Sequence, residues 1–269
     1  VADALVHKKL RNVFGGRAMV FITGAAPISL EILEFFHAAG MLITEVYGLT
    51  ECTGVSNSNA VDNFKFGTVG PAIPGAEIKL ADDGEILIRG DMVFKGYLNR
   101  EEETRETIID GWLQTGDIGV MDEEGFLRIT DRKKNIIITA AGKNITPSNI
   151  ENMIKTDPLI SQVLVHGDRR NFLSALITLD PEESVTIAGE RGIQFANPAE
   201  LAANPEILAS IQKAVDKANE QVARVEQVKK FTILPQDFTV DGGEITPTLK
   251  VKRKEVEKKF SGILDEMYK

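Results

Sequence analysis

Between Ala18 and Val46 the apolar residues change their spacing twice, and that change restricts the fold more than any other feature of the chain. Ala18 to Ile22 is an apolar run of strand length. Gly24-Ala25-Ala26-Pro27 has the composition of a turn. Ser29 then offers a side-chain oxygen to cap a helix, and Ile32, Leu33, Phe36 and Ala39 follow at helical spacing. Gly40 is a natural helix stop. Met41 to Val46 is a second strand-like run, ending at Tyr47-Gly48. Strand, helix and strand in this order predict an α/β layer whose loops gather at one sheet edge, where such folds bind ligands.

The pattern changes after Asn63. Gly67, Gly70, Pro71, Pro74 and Gly75 punctuate a loop. Ala76–Leu80 and Glu85–Arg89 flank Asp82-Asp83-Gly84, which predicts a hairpin. Asn99 is placed to cap a short charged helix. Asp122-Glu123-Glu124-Gly125 predicts a second hairpin, with Phe126–Thr130 as its return strand. These elements predict a small antiparallel β-barrel or sheet. Asp131-Arg132-Lys133-Lys134 is the best domain boundary. Beyond it, Asn135–Thr139, Val163–His166, Leu173–Leu179 and Phe231–Leu234 read as strands. Helices are predicted to open at Thr146-Pro147, Asn197-Pro198 and Asn204-Pro205, with Pro at the first helical position. The apolar stripe from Ile207 through Leu208, Ile211, Val215, Ala218 and Val222 to Val225 reads as core packing. A final helix from about Val251 is expected to bury Val256, Phe260, Ile263, Leu264 and Met267. The expected fold class is α/β plus α+β: a remnant of an α/β layer (residues 1–66), a small antiparallel β-barrel (67–131), and a smaller, mobile C-terminal α+β domain (132–269).

Composition narrows the function classes. A net charge of −9 argues against a partner bound through its phosphate backbone, so no nucleic-acid partner is expected. It leaves room for a local basic site. Cys52 is the single cysteine, so no internal disulfide forms and a reducing compartment is expected. No apolar run approaches the ~20 residues of a membrane-spanning helix, and Val1 to Gly16 lack a signal-peptide pattern. The expected location is cytoplasmic, with peripheral membrane contact left open.

Several short motifs have the chemistry to handle parts of a nucleotide. Tyr47 can stack on a purine, Thr50 can donate to a phosphate oxygen, and Glu51 is a hard oxygen ligand suited to Mg²⁺ beside phosphates. The same residues also fit a strand end with a buried Tyr and an acidic turn. Asp117, in Thr115-Gly116-Asp117, can accept from both hydroxyls of a ribose, or it is an Asp in a tight turn. Arg132 can reach ribose or phosphate, or it is a solvated charge. Lys250 follows a loop made by Gly242, Gly243 and Pro247, and its ammonium can offset charge gathering between a carboxylate and an α-phosphate. Alternatively it opens a solvated basic helix. His7, His37 and His166 lack ligand-like spacing, and Cys52 has no identifiable base.

Taken in order, Tyr47–Glu51, Gly84–Gly90, Gly96-Tyr97, Thr115–Asp117, Asp131–Lys134, Gly142–Asn144 and Pro247–Arg253 resemble the adenylate-forming superfamily of acyl-CoA synthetases, luciferases and peptide-synthetase adenylation domains. The chain is most similar to the bacterial long-chain fatty acid–CoA ligases. Asp131–Asn135 followed by Gly142–Ile145, the ending Thr246–Arg253, and the helical stretch from Glu182 to Gln227 carry that finer resemblance. The resemblance implies ATP, Mg²⁺ and coenzyme A, with a fatty acid as the acid substrate. It places Gly24, Ala25 and Ala26 on the adenine side, Tyr47 and Gly48 at the adenine-stacking motif, Thr50 on phosphate, and Glu51 on Mg²⁺. It places Asp117 on ribose, Arg132 on ribose or phosphate, Lys134 at a hinge, Gly142 and Lys143 at the coenzyme A tunnel, and Lys250 at the adenylation step. The family's Ser/Thr/Gly-rich phosphate loop ending in Lys is missing from Val1 to Leu42. The chain is therefore expected to be the C-terminal portion of a larger ligase, inactive alone, with apolar surface left for self-association or a partner. Two alternatives stay open: an adenylating ligase for another carboxylic acid, and a non-catalytic nucleotide-binding fragment.

Overall fold

A computed structural model describes residues 7–269. The chain divides into two compact units, Val1–Lys134 and Asn135–Lys269. The first six residues of the expected α/β remnant lie outside the described residues.

In the first unit, α1 (Lys8–Val13) precedes β1 (Phe21–Thr23), α2 (Leu30–Ala38), β2 (Ile43–Tyr47) and β3 (Asn57–Ser58). β1 and β2 are parallel, β2 and β3 antiparallel. The Ser29 hydroxyl caps α2 by accepting from the Ile32 N–H at 3.3 Å. Gly40 ends it at φ +78°, with Gly40 N–H bonded to the His37 carbonyl and Met41 N–H to that of Phe36. This is the paired closure that a left-handed glycine makes possible. The expected apolar face of α2 is only partly covered. Leu33 and Ala39 are buried, but Ile32 is 42% exposed, and its neighbours Leu30 and Phe35 are exposed with it. Ile22 on β1 is exposed as well.

The second sheet contains β4 (Glu77–Leu80), β5 (Glu85–Arg89), β6 (Ile108–Ile109), β7 (Trp112–Met121) and β8 (Leu127–Arg132), with α3 (Glu101–Thr107) packed before β6. The expected barrel is corrected here: the sheet is open. β5 lies along one edge of β7, while β6 and β8 occupy successive stretches of the other. β4 pairs with β5 alone, and no ladder joins it to β8. Strands of two to six residues around one ten-residue strand cannot wrap far enough to close. Both predicted hairpins are present. Gly84 (φ +83°) and Gly125 (φ +83°) take the left-handed turn positions, and Asp122 Oδ1 accepts from the N–H groups of Glu124 and Phe126. α3 is capped at Arg100 rather than at Asn99, which sits one residue earlier at φ +56°. Tyr47, Cys52, Ile86, Ile88, Leu113 and Leu127 form one buried cluster that ties the end of β2 to the antiparallel sheet.

In the second unit the predicted strand Asn135–Thr139 shrinks to β9 (Ile137–Ile138), paired with β10 (Asn144–Ile145). α4 (Pro147–Ile154) leads to β11 (Ile160–His166) and β12 (Leu173–Leu179). Then come α5 (Pro181–Glu190), α6 (Pro198–Ala202), α7 (Pro205–Asn219), β13 (Val228–Leu234), α8 (Arg253–Lys259) and α9 (Ser261–Glu266). β12 is central, antiparallel to β11 and parallel to β13. It is buried along its whole length because helices cover both faces of the sheet. Val163, Val165, Ala175 and Ile177 face one core with Ile207, Ile211, Val215 and Ala218 of α7. Leu164, Leu176 and Leu234 face the other with Val256, Leu264 and Met267. The apolar stripe of α7 stops at Asn219; Leu208 and Val225, expected to continue it, are exposed. Asn197 and Asn204 cap α6 and α7 through their side chains. The final helix divides at Phe260.

Candidate active site

The site of the first unit starts from the parallel pair. Register places Thr23 opposite Glu45, so the loop Gly24-Ala25-Ala26 and the turn beginning at Tyr47-Gly48 leave the sheet at the same edge. Gly24 lies so close to β2 that an added Cβ would stand 2.8 Å from Val46 Cγ2. Ala25 adopts φ +65°, a left-handed conformation that costs a non-glycine residue roughly 1 kcal/mol. At Gly48 an added Cβ would lie 1.8 Å from the Gly54 carbonyl oxygen. Glycine alone lets Thr50–Cys52 curl back as a 3₁₀ turn, which leaves Thr50 exposed and Cys52 buried. The Cys52 thiol is used inside that turn, accepting from Leu49 N–H at 3.2 Å.

Asp117 is brought to this edge by an irregularity in β7. Glu85 pairs with Ile118 but Leu87 pairs with Gln114, so β7 carries extra residues over Thr115–Asp117. Bulges of this kind re-aim side chains. Gly116 supplies φ +69°, and its N–H donates to buried Glu85 Oε1 at 2.9 Å. The Thr115 hydroxyl donates to the Ile86 carbonyl at 2.7 Å and accepts from Asp117 N–H at 3.1 Å. The Asp117 carboxylate is buried and holds two partners. The Tyr47 hydroxyl donates to Oδ2 at 2.7 Å, and Arg132 Nε donates to Oδ1 at 3.0 Å. Burial, followed by the negative charge of Asp117, pushes the Tyr47 phenol far above its ordinary range. The stacking role read for Tyr47 needs a ring face open to a purine. The residue is 8% exposed, and its hydroxyl is bonded to Asp117. The carboxylate itself has about four acceptor positions, so two remain for ribose hydroxyls.

Beside Asp117 lies an open depression of about 370 Å³ lined by Thr115, Gly116, Arg132, Lys133 and Lys134. Its charge is cationic, as an anionic ligand requires. Lys133 is less available than its neighbours. Its ammonium bonds Asp83 Oδ2 at 2.5 Å and Glu85 Oε2 at 2.9 Å. Hydrogen bonds to those two carboxylates raise its pKa and depress that of Asp83. Glu85 thus anchors both the Gly116 bulge and the end of β8. Sequence reasoning missed Glu85, Lys133 and Thr115 as site-builders; an acid on an amphipathic strand gives no sign of which backbone N–H it will meet.

Glu51 Oε1 accepts the Tyr97 hydroxyl at 2.7 Å. Among the described residues no group of three His, Cys, Asp or Glu side chains is arranged to hold a metal. Mg²⁺ taken up with phosphates needs only one or two carboxylates, and Glu51 offers one, so the donor set fits. His37 packs edge-on against Phe64 and Phe66, and His166 pairs with Glu257 at 3.0 Å.

The remaining residues belong to the second unit. Gly142 (φ +73°) and Lys143 form the exposed turn between β9 and β10, pinned by Gly142 N–H to the Thr139 carbonyl and Lys143 N–H to Thr139 Oγ1. Lys250 is exposed on a tight loop. Its N–H bonds Thr246 Oγ1, its carbonyl accepts from Thr246 N–H, and Leu249 turns the chain at φ +59°. Buried Glu244 braces the base of this loop, accepting from Thr239 N–H and pairing with Lys259. Burial works against its charge, but these hydrogen bonds hold its pKa below the usual value. Lys134 is the last residue of the first unit.

Residues 1–98 match the AMP-binding enzyme family, and residues 134–269 match the AMP-binding enzyme C-terminal domain. Long-chain-fatty-acid–CoA ligase FadD15 of Mycobacterium bovis is 45% identical over 100% of this chain and 45% of its own length. Long-chain-fatty-acid–CoA ligase 5 of Mus musculus is 39% identical over 99% of this chain and 41% of its own length. The chain therefore spans less than half the length of these curated relatives. The crystal structure of the adenylation domain of a carboxylate reductase from Mycobacterium chelonae shares the fold, with a TM-score of 0.80 at 24% identity, over 99% of this chain and 41% of that one. The chain belongs to the AMP-binding, adenylate-forming enzyme family.

Proposed function

We propose that this chain forms part of a ligase that activates a long-chain fatty acid as its acyl-adenylate and transfers the acyl group to coenzyme A. The observation that carries the nucleotide reading is the buried Tyr47–Asp117–Arg132 constellation beside a cationic depression. The acid and thiol substrates are supported by the names of relatives at 45% and 39% identity.

In the first half-reaction a carboxylate oxygen attacks the α-phosphorus of ATP and the bond to pyrophosphate breaks. Asp117, fixed by Tyr47, accepts from the ribose hydroxyls, and Arg132 stands beside it to reach ribose or phosphate. The Gly24–Ala26 loop, with its small side chains, lets the adenine approach the sheet edge. Tyr47-Gly48 bounds that edge, and Thr50 donates to a phosphate oxygen. Glu51 would hold Mg²⁺, which supplies charge neutralisation at the phosphates. Lys250 offsets the charge that develops between carboxylate and α-phosphate. In the second half-reaction the thiol of coenzyme A attacks the acyl carbonyl and AMP leaves. Lys134 serves as the hinge residue of the ligase, and the Gly142-Lys143 turn lines the path of the pantetheine arm.

The test is fatty-acid-dependent exchange of pyrophosphate into ATP by a full-length ligase containing this chain. Exchange with long-chain acids, lost by about 10²-fold or more in Lys250→Ala, is the expected result. Exchange driven by aryl or amino acids but not by fatty acids would reassign the substrate. The chain of 269 residues by itself, given ATP, Mg²⁺, fatty acid and coenzyme A, is expected to release no AMP at a normal rate.

A further inference from the structure

We infer that Tyr97 is a positioning residue that selects which oxygen of Glu51 faces a nucleotide-bound divalent cation. The Gly96-Tyr97 pair carries no role in the reaction as set out above, yet the structure builds it carefully against the Thr50–Cys52 turn. Gly96 has φ +145°, and an added Cβ would stand 2.5 Å from Thr104 Cγ2, so only glycine lets the chain pass α3 this closely. Tyr97 N–H then donates to Thr104 Oγ1 at 2.9 Å. The Phe94 ring meets the Tyr97 ring edge-on at 4.8 Å. Two further bonds fasten the same loop to the turn: Phe94 N–H to the Glu51 carbonyl at 2.8 Å and the Thr53 hydroxyl to the Met92 carbonyl at 2.6 Å. The phenol therefore arrives at Glu51 from a braced position, where its hydroxyl donates to Oε1 at 2.7 Å.

The consequence is chemical. A carboxylate with one oxygen occupied by a donor presents the other, Oε2, as the better-exposed acceptor. Mg²⁺ demands near-octahedral geometry and takes carboxylates through single oxygens, so a carboxylate locked in one rotation offers a ligand already oriented. Outer groups that hold a ligand in this way are worth about 10-fold to 100-fold in metal affinity.

This inference rests on the nucleotide reading of the site, and the test separates the two. Binding of AMP without metal, and of Mn²⁺–ATP followed by the electron paramagnetic resonance of Mn²⁺, is measured for the wild-type chain, Tyr97→Phe and Glu51→Gln. Tyr97→Phe keeps the ring and its packing and deletes only the hydroxyl. It should weaken Mn²⁺–ATP binding by about 10-fold or more with AMP affinity unchanged, and Glu51→Gln should do at least the same. Mn²⁺–ATP binding equal to wild type in Tyr97→Phe overturns the inference while leaving the nucleotide site standing. So does an equal loss of AMP and Mn²⁺–ATP, which marks a merely structural residue, or a wild-type chain that binds AMP but gains nothing from Mn²⁺. Failure of the wild-type chain to bind AMP overturns the nucleotide reading, and the role of Tyr97 with it.

Discussion

Replacing Tyr47 with Phe removes one hydroxyl and nothing else from the centre of the first unit. The lost bond is a 2.7 Å donation to Asp117 Oδ2, between two buried side chains. A hydrogen bond to a charged acceptor contributes about 1.5–3 kcal/mol, and a buried acceptor left short of a donor is expensive. Arg132 remains on Oδ1, but its side chain is 47% exposed, and a half-solvated pair of that kind is worth roughly 1 kcal/mol or less. It cannot compensate. Tyr47→Phe is therefore expected to cost about 2 kcal/mol of first-unit stability, read from urea unfolding. The double-mutant cycle with Asp117→Ala should return a coupling energy of about 1–2 kcal/mol, because each single change deletes the same bond. A loss below about 0.5 kcal/mol in Tyr47→Phe, with coupling near zero, would refute the claim that this bond fixes Asp117.

Three further outcomes follow from the same structure. Burial raises the Glu45 carboxyl to about 7, against lowering by Gly67 N–H and Arg128. The folded state thus holds a proton that the unfolded chain releases near 4.5, and stability falls as pH rises between those values. The upper bound is about 3 kcal/mol, reduced to about 1–2 kcal/mol by solvent at a half-buried site; unfolding midpoints at the two ends should differ in wild type and converge in Glu45→Gln. Gly48→Ala would force the Thr50–Cys52 turn away from β2, since its Cβ would meet the Gly54 oxygen at 1.8 Å, and a melting temperature equal to wild type would contradict that reading. Glu151→Ala removes the carboxylate that lies 2.5 Å from Arg253 Nη2 in a largely buried pair and that also accepts from Val165 N–H, while the guanidinium keeps its bond to the Val165 carbonyl; the change should cost about 2–3 kcal/mol in the second unit, read from urea unfolding.

How much of this was legible in the sequence depended on whether a feature is local. The Ser29 cap, the Gly40 stop, both hairpin turns and the Asn-Pro helix starts were readable because each is decided within four or five residues. The open sheet was misread as a barrel because closure depends on whether β4 and β8 meet, and nothing in either strand encodes its partner. The α7 stripe overran its helix because Val222 and Val225 continue the apolar spacing past Asn219, where the side-chain amide and carbonyl turn to Val228 instead. At the site, the sequence named Tyr47, Asp117 and Arg132 separately. That the Tyr47 hydroxyl bonds Asp117, 70 positions away, required the fold. Glu85, Tyr97 and Lys133 act through partners 31, 46 and 48 positions away, beyond the reach of any local pattern.

The account stands on Asp117 as the ribose acceptor, and equilibrium binding of AMP tests it most directly. Titration calorimetry on the wild-type chain and on Asp117→Ala, with far-ultraviolet circular dichroism to show that both remain folded, gives the answer. The arrangement predicts measurable AMP affinity in the wild type and a loss of about 10-fold or more in the variant, from a charge-assisted pair of hydrogen bonds. Equal affinity in the two folded proteins would contradict it.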